Sequence, residues 1–149
     1  MNQEHFDKLQ AGVAAFNEWR RANSDTVVDL NGANLSGAIL DGVNFGQADL
    51  RDANLSHVRM EEVDLGSANL SGANLSRANL SYGYLVGANL SGANLSGANL
   101  NGVFLNDANL SGANISGANL EGVIAHKINL DGVDLETAAD LTGAEISRA

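Results

Sequence analysis

The sequence predicts an all-β solenoid, and three observations carry that prediction. An apolar residue occupies every fifth position from Leu30 to Leu135, making 22 consecutive units with Leu in 18 of them. Two residues ahead of each of these centres sits Ala in 13 units and Val in 7, with Gly83 and Ile128 the exceptions. Val at 43, 63, 103 and 123, completed by Gly83, forms a series of period 20. A period of five fits neither a helix at 3.6 nor a strand at 2.0. With one large and one small residue in five pointing inward, the backbone must turn once per unit. Four units then close one circuit of square section, and circuits stack through backbone hydrogen bonds about 4.8 Å apart.

The remaining positions of the unit are polar. Asn or Asp lies between the small residue and the centre in most units, and Ser then Gly commonly follow. Units such as Ala33-Asn34-Leu35-Ser36-Gly37 and Ala73-Asn74-Leu75-Ser76-Arg77 resemble the A(D/N)LXX signature of pentapeptide repeat proteins. The resemblance covers about four-fifths of the chain. It implies a right-handed quadrilateral β-helix, with the centre and the small residue inside as a dry ladder and the other three positions outside.

Ahead of the repeats, residues 3–22 read as an amphipathic helix with Phe6, Leu9, Val13 and Phe16 on one stripe. Asn23-Ser24-Asp25 ends it. The run from Gly12-Val13 through Phe16-Asn17-Glu18-Trp19-Arg20 is similar to a lead-in that precedes the repeats in some family members. Residues 1–25 are therefore expected to cap the first circuit, with Phe6, Leu9, Val13, Phe16 and Trp19 as the capping side chains, and residues 26–149 to form the coil. Near residues 136–139 the register slips by one and resumes as Ala139-Asp140-Leu141 and Ala144-Glu145-Ile146. These bring the coil to 24 units, or about six circuits and about 29 Å of stack. The last circuit has no second cap in the sequence, so a homodimer joined through the C-terminal coils is expected.

Composition narrows the function. Net charge is −10 with pI about 4.4, which disfavours direct binding to nucleic acid or to anionic membrane. There is no Cys for a disulfide or a thiolate site, no 18-residue apolar run, and no signal-like core in the first ten residues. A soluble, cytoplasmic protein is expected. His5, His57 and His126 are scattered, no nucleophilic triad can be assembled, and no GxxxxGK loop exists. The expectation is a protein that is not an enzyme and uses no cofactor. Asp41 and Glu61, with Glu62 alongside and Asp64 near, form an acidic group with the oxygen chemistry of a weak calcium site, although acids also lie on solvated faces. Asp107 and Lys127, 20 residues apart, are expected to pair.

Irregular outward positions point to the use of the rod. Tyr84, Phe104 and Ile124 replace the usual Asn or Asp at a spacing of 20, so they should stack as an apolar stripe with Tyr82 and Val86 beside it. Such a stripe fits a protein-binding surface, while stacked aromatics also stabilise adjacent circuits on their own. The leading expectation is a scaffold presenting flat faces to a protein partner. The alternative implied by the family resemblance is a DNA mimic acting on a type II topoisomerase such as gyrase. Mimicry calls for charge along the whole rod, yet residues 66–106 contain no Asp or Glu. Ice binding is the remaining alternative, and Thr26, Thr137 and Thr142 make no ladder for it.

Overall fold

In a regular interior unit every N–H finds an acceptor, and that satisfaction shapes the rod. The computed structural model covers residues 1–149. In the unit 73–77, Ala73 N–H closes a turn onto Leu70 O at 3.0 Å, and Asn74 N–H donates to Ala53 O at 2.9 Å in the preceding circuit. Leu75 and Arg77 donate forward, to Asn94 O at 2.7 Å and Ser96 O at 2.9 Å. Ser76 N–H points away from both neighbouring circuits and donates to the Asn74 side chain, Oδ1 at 3.1 Å. Asn or Asp therefore recurs in that slot because its carboxamide or carboxylate pairs an amide the coil leaves over.

Parallel bridges join residues 20 apart, from Asp29–Asp49 through Asn74–Asn94 to Asn109–Asn129. One circuit thus takes four units, as the Val series requires. Inside, the centres from Leu30 to Leu130 and the small residues between them form one buried core. Gly83 interrupts the Val series for want of room. A Cβ there would lie 2.8 Å from Leu80 O and 3.2 Å from Val63 Cγ1.

At the N-terminus the structure has two helices where one was expected: α1, Gln3–Gln10, and α2, Val13–Ala22. They part at Gly12, whose φ of 111° no helix accommodates. The break lets both apolar stripes reach the coil, so that Leu9 and Phe16 are buried while Phe6, Val13 and Trp19 pack half-buried against the core. Phe16 meets Phe45 edge-on, with ring centroids 5.7 Å apart.

The helices pair half of the first circuit's edge. Asp29 N–H donates to His5 Nδ1 at 2.9 Å, and Asn44 N–H to Asn17 Oδ1 at 2.8 Å. The corresponding amides of Asn34 and Ile39 have no protein acceptor.

Toward the C-terminus, a single 3-10 turn at Leu135–Thr137, capped by the Asp134 side chain, takes up one extra residue. Pairing then runs at a spacing of 21, through Asn119–Asp140 and Ile124–Glu145. The last strands, β1 at Ile124–Ile128 and β2 at Glu145–Arg148, pair in parallel with an irregularity between Ala125 and Ile128. Leu141 stays exposed on this circuit. No helix is long and apolar enough to cross a membrane.

Candidate interaction surface

One face of the coil departs from the Asn–Ser pattern. Down its Asn column run Asn44, Asp64, Tyr84, Phe104 and Ile124, joined by successive bridges. Tyr84 is 50 % exposed and Phe104 41 %, while Ile124 and Val86 are half-buried. Tyr82, 63 % exposed, sits on the adjoining corner with φ of 59°.

The aromatic residues forfeit the hydrogen bond that Asn supplies elsewhere. Val86 N–H and Asn106 N–H, the amides that Asn at 84 and 104 would pair, have no protein acceptor. At 126 the gap is closed from the neighbouring circuit, where Asn106 Oδ1 accepts His126 N–H at 2.8 Å. A residue that breaks a local rule without structural return is a functional candidate.

Both tyrosine rings lie against glycine. Tyr84 Cε1 is 2.9 Å from where a Cβ on Gly66 would stand, and Tyr82 Cδ1 is 2.7 Å from the same point on Gly102. Gly102 also has φ of 65°, so Gly102→Ala combines backbone strain with a steric conflict against Tyr82. Gly92 has the same φ of 65° and open space around it. Gly92→Ala should cost about 1 kcal/mol and Gly102→Ala distinctly more, about 2–3 kcal/mol. Thermal melts of the two variants side by side check this.

Toward the capped end the face opens into a groove of about 490 Å³ between α2 and the coil, lined by Arg20, Arg21, Asn44, Gly46, Asp64, Gly66 and Tyr84 among others. Arg20 is buried there. It donates to Asn23 O at 3.3 Å, Thr26 O at 2.6 Å and Gly46 O at 3.1 Å, and its Nε has no acceptor. In the sequence Arg20 stands out only as part of the lead-in to the repeats. Its spacing of four from Phe16 was the signal that it shares the buried face.

The acidic group of residues 41–64 gathers no metal site. Asp41 instead forms an ion pair with Arg59 and accepts Glu61 N–H at 3.0 Å, while Glu61 accepts from Asn79 Nδ2 at 2.8 Å. The hydrogen bond from Arg59 holds the Asp41 carboxyl below the usual carboxylate range, as Arg51 does for Asp49. No group of three His, Cys, Asp or Glu side chains converges anywhere on the chain. Asp107 and Lys127 do not pair, contrary to expectation. Both occupy positive-φ corners, at 59° and 56°, and no ion pair joins them. His126 approaches Glu145 instead, at 3.6 Å. His57 lies on an exposed corner of its own.

Comparison with known proteins agrees with this architecture. The family model for pentapeptide repeats matches in eight copies, over residues 29–66, 59–97, 68–107, 88–124 and 105–136. A pentapeptide repeat protein of the Arabidopsis thaliana thylakoid lumen is 34% identical, with 62% of this chain and 64% of that one covered, at a TM-score of 0.61. The present chain thus spans 64% of that protein's length. Rfr23, a pentapeptide repeat protein of the cyanobacterium Cyanothece 51142, is 32% identical over 88% of this chain and 98% of that one, at a TM-score of 0.40. A third, from Nostoc Pcc 7120, is 34% identical over 91% and 95%, at a TM-score of 0.35. No curated protein matches.

Proposed function

The chain belongs to the pentapeptide repeat family, and from that premise we propose that it is a non-enzymatic scaffold whose Tyr84–Phe104–Ile124 face binds a protein partner. As the family resemblance implies, the winding is taken as right-handed and the stack as about six circuits of four units. The observation that carries the reading is the pair of exposed aromatic residues that leave Val86 and Asn106 N–H without acceptors. The forfeited bonds together with the exposed rings favour a binding role for the stripe over one in stability alone. The absence of Asp and Glu from residues 66–106 suits a partner that buries a neutral, aromatic surface, and suits a DNA mimic badly.

The test is a double substitution, Tyr84→Asn with Phe104→Asn. Restoring the Asn pattern should leave stability unchanged or raise it by about 1 kcal/mol. The same variant should lose a stoichiometric partner that the parent protein retains from an extract of its source. A variant that melts clearly lower than the parent while keeping its partner would make the stripe structural.

A second copy of the chain is a further proposed partner, at the C-terminal circuit. Leu141 is exposed there, and β2 is paired along one side only. Light scattering at micromolar concentration checks it, and a mass that stays monomeric rules it out.

A further inference from the structure

We propose that the groove between α2 and the coil takes an acidic segment of the protein partner, with a carboxylate facing Arg20 and Arg21 and an adjacent apolar side chain on Tyr84. This rests on the interaction reading of the Tyr84 face and assigns the chemistry of what that face meets. The groove is a built one. Its floor is Gly46 and Gly66, at positions where another face carries Ser36, Ser56, Ser76, Ser96 and Ser116.

Arg20 forms the wall, 6 % exposed. A guanidinium has five N–H donors, and Arg20 uses three of them on the carbonyls of Asn23, Thr26 and Gly46. Its Nε, sealed from solvent, meets no acceptor, and no carboxylate pairs with the group. Backbone carbonyls carry no net charge, so the buried cation has no carboxylate within 4.0 Å in a chain of net charge −10. Arg21 stands beside it on the same rim, exposed. Asp64 is the opposing charge in the groove. Its Oδ2 lies 3.6 Å from where a Cβ on Gly46 would stand, and its Oδ1 accepts Gly66 N–H at 2.9 Å. Being already bonded and of like sign, Asp64 keeps an incoming carboxylate on the arginine side. Beyond it, the Tyr84 ring covers Gly66 and offers the apolar surface. A charge-assisted bond to a guanidinium is about twice as strong as a neutral one, so the carboxylate, more than the apolar group, sets the preference.

N-acetyl-leucine carries both features and N-acetyl-leucinamide only the apolar one. Titrated into the 15N-labelled full chain, N-acetyl-leucine should saturably shift the Gly46 and Gly66 amides and the side-chain N–H of the exposed Arg21. The amide probe should bind there about tenfold more weakly, the discrimination of one charged hydrogen bond. Arg21→Gln, at an exposed position, should weaken N-acetyl-leucine about threefold or more, and Asp64→Asn should tighten it. Equal affinity for the two probes, absence of a saturable shift in the groove, or weaker binding by Asp64→Asn would each overturn the inference. None of these touches the Tyr84→Asn and Phe104→Asn assay, so the scaffold reading stands or falls separately.

Discussion

Replacing Leu75 by alanine should lower the unfolding free energy by about 2–5 kcal/mol. Leu75 is fully buried at the centre of its unit, stacked in the column of Leu55 and Leu95. The core around it is one residue deep on each face, because every circuit contributes a single large side chain per side. The units of adjacent circuits are held through 20-residue bridges, so Ala73 and Ala78 cannot move in to fill the space without breaking register. In a linear stack, stability is close to a sum of circuit stabilities and nearest-neighbour terms. A void in the middle weakens the two interfaces that hold the halves together. Urea unfolding followed by circular dichroism should therefore show a lower midpoint and a shallower slope, as the halves begin to unfold separately. The reverse error, Ala73→Leu, should cost about 1–3 kcal/mol by overpacking the small column. If Leu75→Ala cost no more than a surface substitution, about 0.5 kcal/mol, the stacked-ladder account would be wrong.

What the sequence revealed and what it hid follow from one distinction. Backbone geometry repeats, so anything tied to the repeat can be read: the inward pair of residues, the 20-residue circuit through the Val series, and the aligned Tyr84, Phe104 and Ile124. Side chains outside the repeat choose partners locally. Asp41 lies one circuit from Glu61, yet its carboxylate turns to Arg59, because a cation gains more than a second acid could. Asp107 and Lys127 share a column, but their positive-φ corners carry no ion pair between them. The helix expected over residues 3–22 shows continuous apolar spacing, and only Gly12 hints at the break that presents two stripes to one surface. Arg20 carried a single cue, its spacing of four from Phe16. An arginine beside Arg21 at a helix end looks solvated, and only the fold shows three backbone carbonyls converging on it.

Truncating Phe16 to alanine should cost about 3–5 kcal/mol, and its effect should be confined to one end of the rod. Phe16 is fully buried, edge-on to Phe45 and tilted against Trp19, with centroids 5.7 Å apart in both pairs. No other aromatic side chain of the cap is fully buried, so docking of α2 depends on it. Two sets of polar contacts depend in turn on that docking: Asn17 with Gly42 O and Asn44 N–H, and Arg20 with Gly46 O. When α2 lifts, Asn44 loses its acceptor, and His5, packed against Trp19, is drawn away from Asp29. The first circuit then exposes all four sides of its edge, where the intact protein leaves open only those of Asn34 and Ile39. Amide exchange resolves this directly. In Phe16→Ala the Asp29 and Asn44 amides should exchange as fast as those of Asn34 and Ile39, while Asn74 and Leu75 in the middle keep their protection. An open edge also templates strand pairing between chains, so the variant should associate in a concentration-dependent way that the parent does not show at that end. Asp29 and Asn44 amides that stayed protected would mean that α1 and the Asn17 contacts hold the cap without the aromatic anchor, and the dependence traced from Phe16 to the coil edge would fail.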